Sequence, residues 1–247
     1  MIRSLHAEWT KLRTLPSTWW LTAATVLLTT AVGAAAASSL THDVCPSPAA
    51  CHEDTVKLSL TGVWLGQSTC LVLGALSMGA EYATGTLCVT LTAMPARPRT
   101  LAAKATALSL VTAATGTVAV AAALGTAGLI LPLPAPGLRA VAGSVLVLTL
   151  VALLGLALAT LLRDTAGAIT AGLGLLYVVP LLADLLHSHT WQHRLQRWTP
   201  MPAALSVQAT RNLDLLPIGP WAGLGVLAAY ALGLLVAGGA LFRLRDA

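Results

Sequence analysis

Six long runs without a charged side chain are the feature that most constrains how this 247-residue chain can fold. Counting Asp, Glu, Lys and Arg as charged, the runs cover residues 14–42, 58–80, 105–138, 140–162, 165–183 and 215–242. A helix needs about 20 apolar residues to cross a hydrocarbon layer of roughly 30 Å, and each run meets or approaches that length. Because only 9% of the residues are charged, too few exist to coat a water-soluble core. The sequence therefore predicts an all-α, polytopic integral membrane protein with six transmembrane helices.

The runs define one transmembrane domain over residues 1–247. Its spans are predicted at about 18–40, 58–80, 105–131, 140–162, 166–186 and 220–242. The stretch 82–96 is also uncharged, but its Thr, Gly and Pro residues make it a poor span. We therefore expect a polar connector within residues 81–104 and a long loop over residues 187–219.

Lys and Arg residues are divided unequally between the two sides of this topology. With the N-terminus inside, the inner segments hold nine Lys and Arg residues and four acids, a net charge of +5, whereas the outer segments hold five of each. Because cytoplasmic loops carry the excess of Lys and Arg, both termini are expected in the cytoplasm and the chain in the cell membrane. The basic residues do not alternate with stacking aromatic residues, so no nucleic-acid partner is expected.

The first 15 residues carry the pattern of an amphipathic interfacial helix. Apolar side chains recur at three- and four-residue steps, while most charged side chains lie elsewhere around the helix. The residues assigned to this helix are Leu5, Trp9, Lys11, Leu12 and Arg13. Pro16 should break the helix before the first span. The alternative is a secretory signal cleaved after the small residues 34–37, but the long, patterned leader favours an uncleaved anchor.

Cysteine and histidine residues occur in the predicted outer loops. Cys45 and Cys51 bracket a short segment with two prolines, and a disulfide or two free thiols fit the sequence equally well. His189 and His193 are four residues apart and could share a helical face as metal ligands. Solvated interfacial histidines are the commoner outcome of such spacing, so we predict no metal site.

The chain carries no recognisable catalytic motif. It lacks both the GxxxxGK[ST] phosphate loop and the HExxH zinc pair, so neither enzyme activity nor a bound cofactor is expected. A membrane enzyme would have to use the outer histidines His187, His189 and His193. No charged residue lies deep in a predicted span, which weakens the case for an ion-coupled carrier.

Polar and small residues within the spans have two interpretations each. Candidate cavity-lining residues are Gln67, Ser68, Thr112 and Thr115. Hydrogen bonds between or within packed helices explain the same residues nearly as well. Gly62 and Gly66 form a small-xxx-small pair that could seat a second copy of the chain, or that an Ala-rich composition produces by chance.

Three segments resemble a known family of membrane proteins. They are EWTKLRTLPSTWW at residues 8–20, EYATGT with the following PARPRTLAAK within residues 81–104, and LRDTAGAITAGLGLLYVVPLL at residues 162–182. Each is a loose motif alone, but in this order they extend over most of the chain. On these segments the chain resembles an ABC-2 type permease subunit of the ATP-binding-cassette (ABC) transporters, in the exporter-like class.

The resemblance implies partners and a function. The connector between the second and third spans would dock on a separate cytoplasmic ATPase, which would bind ATP and Mg²⁺, and a second permease copy would complete a cavity within membrane lipid. The residues implied in this coupling are Glu81, Tyr82, Thr84, Gly85, Thr86, Arg97 and Arg99. The implied activity is export of a small hydrophobic or amphipathic compound, and short re-entrant helices would occupy residues 187–219. The alternatives are a membrane enzyme and a non-transporting scaffold or immunity protein.

Overall fold

The computed structural model of the chain describes residues 2–39, 54–86, 97–131, 137–185, 195, 197–211 and 213–244. Within these ranges the regular structure is helical and no strand is present. The α-helices are α1 (Ile2–Thr14), α2 (Pro16–Ser38), α3 (Thr55–Ser59), α4 (Val63–Thr84), α5 (Arg97–Ile130), α6 (Leu138–Leu162), α7 (Thr165–Leu173), α8 (Val179–Asp184), α9 (Pro200–Leu205) and α10 (Pro220–Leu244). This confirms the all-α prediction for the described residues.

In the described part of the chain, six helices are long and apolar enough to span a membrane, as the charge-free runs predict. Their apolar stretches are Pro16–Ser38, Val63–Thr84, Pro98–Ile130, Leu138–Leu162, Thr165–Ala183 and Pro220–Leu241. The helices on either side of the polar connector extend further than the charge-free runs, because α4 continues to Thr84 and α5 begins at Arg97. Both helices therefore include charged residues that the sequence prediction placed just outside the spans.

The six helices alternate in direction, so the bundle has two ends. We call the end that contains α1, the last turn of α4 and the first turns of α5 the N-terminal end. The opposite end, which contains α3 and α9, is called the distal end. As Pro16 predicts, the chain breaks between α1 and α2: Leu15 is extended, and Pro16 is the first residue of the new helix, where its missing N–H is tolerated.

Helix α6 forms the centre of the bundle and packs against α4, α5, α7 and α10. Its sequence is rich in Leu, Val and Ala, and most of its second half is buried. Gly74 of α4 and Gly155 of α6 lie where the two helices cross. A Cβ atom at Gly74 would clash with the backbone carbonyl of Ala152, and one at Gly155 would clash with that of Leu71. Small residues therefore allow the closest helix contact in the core.

The Gly62 and Gly66 pair faces α2 of the same chain. A Cβ atom at Gly62 would overlap the Thr29 carbonyl, and one at Gly66 would overlap the Thr29 hydroxyl. The seam for a second copy that we considered at these glycines is therefore wrong, because α2 already occupies that face.

Helices α7 and α8 form one span that contains an irregular turn. Residues Gly174–Val178 are π-helical. This wider turn lies directly before Pro180, which has no N–H to donate to the carbonyl of Leu176. Such π turns are often found at functional positions in helices.

The short helices after α8 lie at the distal end of the bundle. Helix α9 and the 3₁₀ turn Ser206–Gln208 are almost entirely buried. The Val207 side chain fills the space beside Gly143 of α6, and the Gln208 amide donates to the Ser144 hydroxyl at 3.1 Å. These short helices close the distal ends of α6 and α10.

Candidate functional site

Four charged side chains from three helices form a closed ring at the N-terminal end. Lys104 Nζ of α5 lies 2.7 Å from Glu8 Oε2 of α1 and 2.9 Å from Glu81 Oε1 of α4. Lys11 Nζ of α1 lies 2.8 Å from Glu81 Oε1 and 3.4 Å from Glu8 Oε1. Each lysine therefore bridges both carboxylates, and the ring has no net charge.

Three of the four side chains in this charged ring are buried. Lys104 is 4% exposed, Glu8 is 5% exposed and Glu81 is 10% exposed, whereas Lys11 is 41% exposed. Charges removed from water are tolerated only when they are paired and hydrogen-bonded. Partial burial lowers the pKa of Lys11, but its hydrogen bond to Glu81 and the nearby Glu8 charge outweigh that effect and leave the pKa above its usual value.

Local sequence fixes where each member of the charged ring lies. Glu8 and Lys11 are three residues apart and so share one face of α1. Glu81 lies in the last turn of α4, which ends at Gly85 in the left-handed conformation with φ of 67°. Lys104 lies about two turns after the start of α5. The ring thus ties α1 to both helices that flank the predicted coupling connector.

The predicted coupling residues divide into buried and exposed groups. Glu81 is buried in the charged ring, while Tyr82 packs under the Arg163 guanidinium, which lies 5.7 Å from the ring centroid. Thr84, Gly85 and Thr86 are exposed, and the two threonine hydroxyls are 2.9 Å apart. Arg99 is also exposed, and Arg97 begins α5. The exposed members are the ones available to a partner.

A cavity of about 440 Å³ lies beside the charged ring. It is bounded by α1, by the last turns of α4 and by Lys104. One carboxylate oxygen of Glu81, Oε2, is buried and has no hydrogen-bond partner among the described residues. The ring is therefore closed through a single Glu81 oxygen, which accepts from both lysines.

The residues assigned to the interfacial helix have different surroundings. Leu12 is buried, Leu5 is half-buried, and Trp9 and Arg13 are exposed. Lys11 points into the charged ring rather than away from the bundle. Helix α1 is thus attached to the bundle by Leu12 and by its two ring residues.

The candidate cavity-lining residues are not brought together. Gln67 is fully buried and neither atom of its amide group has a hydrogen-bond partner in the described part of the chain. It lies with Ser68 near Tyr177, whose hydroxyl donates to the Trp64 carbonyl and whose ring meets Trp64 edge-on.

Thr112 and Thr115 lie on α5, away from that group. The Thr112 hydroxyl is buried and donates to the Leu108 carbonyl of its own helix, as a packing residue would. Thr115 lines a separate groove between α1, α2 and α5. Among the described residues, the groove that Thr115 lines does not include Gln67, Ser68 or Thr112.

At the distal end Asp54 connects two segments that are far apart in sequence. Its carboxylate caps α3 through the Lys57 amide, and it accepts from the Thr210 hydroxyl at 2.6 Å and from the amides of Thr210 and Arg211. Arg139 of α6 adds a bond to the Ala209 carbonyl. Partial burial raises the pKa of Asp54, but the accepted hydrogen bonds outweigh it and lower the pKa below its usual value.

Several predicted residues lie outside the described ranges. They are Cys45, Cys51, His187, His189 and His193, so the disulfide and the histidine cluster stay predictions. Within the described ranges, no group of three His, Cys, Asp or Glu side chains could hold a metal ion. Cys70 is a buried free thiol packed in α4.

Comparison of the sequence with protein-family models and with curated proteins finds no match. The resemblance to ABC-2 permeases therefore depends on the quoted segments alone.

Sequence reasoning missed the charged ring. It assigned Glu8, Lys11, Glu81 and Lys104 to flanking segments and treated them as orientation signals or docking residues. The available signal was an acid at the end of one predicted span and a lysine at the start of the next. Opposite charges at adjoining helix ends on one side of a bundle are expected to pair.

Proposed function

We propose that the chain is the membrane-spanning subunit of an ABC transporter and exports a small hydrophobic or amphipathic compound. In this proposal a separate cytoplasmic ATPase binds ATP and Mg²⁺, and a second permease copy completes the transport cavity. Both termini are cytoplasmic, in the cell membrane, and α1 lies in the inner headgroup layer. The six span-length helices and the residues flanking the connector support the proposal.

The charged ring is the observation that carries this proposal. The connector between α4 and α5 begins one turn after Glu81 and ends about two turns before Lys104, and the ring binds α1 to both helices. A push on the connector would therefore move α1, α4 and α5 together instead of deforming one loop. ATP can shift the two states of a permease only through its differential affinity for them. Because ATP binds to a separate subunit in this proposal, a stiff attachment is needed to carry that shift to the membrane helices.

The polar group at Gln67 supports a role in binding cargo. The Gln67 amide is fully buried beside the Tyr177 hydroxyl without a well-formed hydrogen bond among the described residues, and a buried amide is stable only when a neighbouring polar group, a water or a ligand bonds it. Tyr177 lies within the π turn, where the helix is wider and its backbone less regular. An amphipathic compound could offer the hydrogen bonds that Gln67 lacks.

The test uses exposed charges at the two ends of the bundle. The chain would be co-expressed with a candidate ATP-binding-cassette ATPase from the same genome, purified in detergent, and assayed for bound ATPase and for ATP hydrolysis. Arg99→Glu should reduce ATPase binding at least fivefold, because it reverses a charge beside the connector. Lys57→Glu is the matched control, since Lys57 is exposed at the distal end.

Two outcomes would reject this function. Either no ATPase accompanies the chain, or Arg99→Glu and Lys57→Glu reduce binding equally. The membrane-enzyme alternative would instead lose its activity when His187, His189 and His193 are replaced by Ala, whereas export would persist. A scaffold or immunity protein would need neither the ATPase nor the connector.

A further inference from the structure

A groove of about 280 Å³ lies between α1, α2 and α5 at the N-terminal end, on the other side of α1 from the charged ring's cavity. Val111, Ala114 and Thr115 of α5 form its floor. Thr18 and Thr22 of α2 line one wall. The lining is mostly apolar, and the groove is open to the surface of the bundle.

The groove continues along α5 as an exposed apolar strip. Positions 111, 114, 115 and 118 lie on one face of the helix because they are three or four residues apart. Val118 is 57% exposed, and Leu110 beside this face is 56% exposed. The apolar floor therefore runs from the N-terminal end toward the middle of the span-length helix.

A cation stands at the mouth of the groove. Arg13 lines the groove, is exposed, and has no carboxylate within ion-pair distance among the described residues. Lys11, two residues earlier, is instead paired with Glu8 and Glu81. Lys11 thus has its carboxylate partners in the charged ring, whereas the Arg13 guanidinium is available to an external anion.

The backbone beside this arginine is fixed. Trp19 Nε1 donates to the Arg13 carbonyl at 2.9 Å and so joins the end of α1 to the start of α2. Trp9 and Trp19 both line the groove and are exposed. Amphipathic indole rings prefer the level of the lipid headgroups, which places the mouth of the groove at that level.

We propose that this groove binds one anionic phospholipid, with its phosphate at Arg13 and an acyl chain along Val111, Ala114 and Val118. A guanidinium is suited to phosphate because its donors form a planar fork, and a basic pocket between helices at the headgroup level attracts anionic lipid. The length of the apolar strip favours an acyl chain over a free phosphate ion. The proposal does not depend on the ATPase.

The experiment measures lipid binding to the full chain purified in detergent. Phosphatidylglycerol and phosphatidylcholine with identical acyl chains are titrated separately, and bound lipid is counted by native mass spectrometry. The wild type should bind phosphatidylglycerol about fivefold more tightly, which is the effect expected of one arginine near an anionic headgroup. Arg13→Gln should reduce this preference to about one.

Two further variants locate the site. Arg99→Gln removes another exposed cation from the same end and should keep the fivefold preference. Ala114→Leu fills the floor of the groove from an exposed position, so the fold should persist while binding of both lipids falls. Equal binding of the two lipids by the wild type would overturn the proposal. Equal losses of preference in Arg13→Gln and Arg99→Gln, or undiminished binding in Ala114→Leu, would also overturn it.

Discussion

The two ends of the bundle are held together by different chemistry. At the N-terminal end, four side chains of opposite charge pair with one another, and three of them are buried. At the distal end, Asp54 and Arg139 bind mainly main-chain groups of residues 209–211 and remain partly exposed. The N-terminal end therefore depends on ion pairs between side chains, whereas the distal end depends on hydrogen bonds between single side chains and the backbone.

This difference predicts different responses to substitution. A buried charge that loses its partner carries its full desolvation penalty, so damage to the charged ring should be large and non-additive. A backbone amide that loses Asp54 near the surface can bind water instead, so damage there should be smaller. The N-terminal end should therefore tolerate single substitutions less well than the distal end.

The largest effect is expected from Lys104→Met. The substitution leaves Glu8 and Glu81 with only the half-exposed Lys11, so the free energy of unfolding in detergent should fall by about 3–5 kcal/mol. Lys11→Met, in the exposed corner of the ring, should cost about 1 kcal/mol. Denaturant titration of the two variants checks the ranking. Equal losses of stability in the two variants would show that the burial of a lysine does not determine how much it stabilises the charged ring.

A second variant separates charge balance from packing. Lys104→Met combined with Glu8→Gln removes one charge of each sign and leaves Lys11 paired with Glu81. Because no uncompensated charge remains buried, the double variant should regain more than half of the stability lost by Lys104→Met alone. Continued loss in the double variant would mean that Lys104 acts through its packing.

The intermediate effect is expected from Asp54→Ala at the distal end. The substitution removes the cap of α3 and the hydrogen bonds to Thr210 and Arg211, so it should cost about 2 kcal/mol. Hydrogen exchange should also accelerate at the Thr210 and Arg211 amides while the α4 amides near Glu81 stay protected. Asp214 is an exposed acid in the same segment, so Asp214→Ala is the control. It should change neither the free energy of unfolding nor the hydrogen exchange of these amides.

The sequence predicted the spans well because span length is a one-dimensional property. Six charge-free runs correspond to six span-length helices, and Pro16 correctly marks the break after α1. Hydrophobicity is summed along the chain, so neighbours in space are not needed for this prediction. Helix ends were less accurate because caps and charged residues at the ends extend α4 and α5 beyond the apolar runs.

The candidate site was harder to predict because it depends on which helix faces meet. The sequence suggested Glu81 only as a docking residue, because a sequence cannot show that Lys11 and Lys104 converge on it. Thr112 and Gln67 look alike as polar residues in apolar spans. Only the packing shows that Thr112 donates to its own helix, whereas Gln67 is fully buried beside Tyr177 with no well-formed hydrogen bond among the described residues.

The smallest effect is expected from acid at the distal end, and it would sharpen the contrast between the two ends. The pKa of Asp54 in the folded chain lies below its usual value, which is about 3.9 in an unfolded chain. The carboxylate therefore contributes its stability fully above about pH 4, and this contribution is lost as the pH falls through the folded-state pKa.

Asp54→Asn keeps one acceptor oxygen but cannot titrate, so it is the matched reference. The difference in Tm between wild type and Asp54→Asn should stay constant from about pH 7 to pH 5 and shrink below about pH 4. The expected difference at neutral pH is small, because charged acceptors exceed neutral ones by only about 1 kcal/mol. A difference that does not change with pH would show that the Asp54 charge contributes nothing beyond the hydrogen bonds that a neutral acceptor also makes.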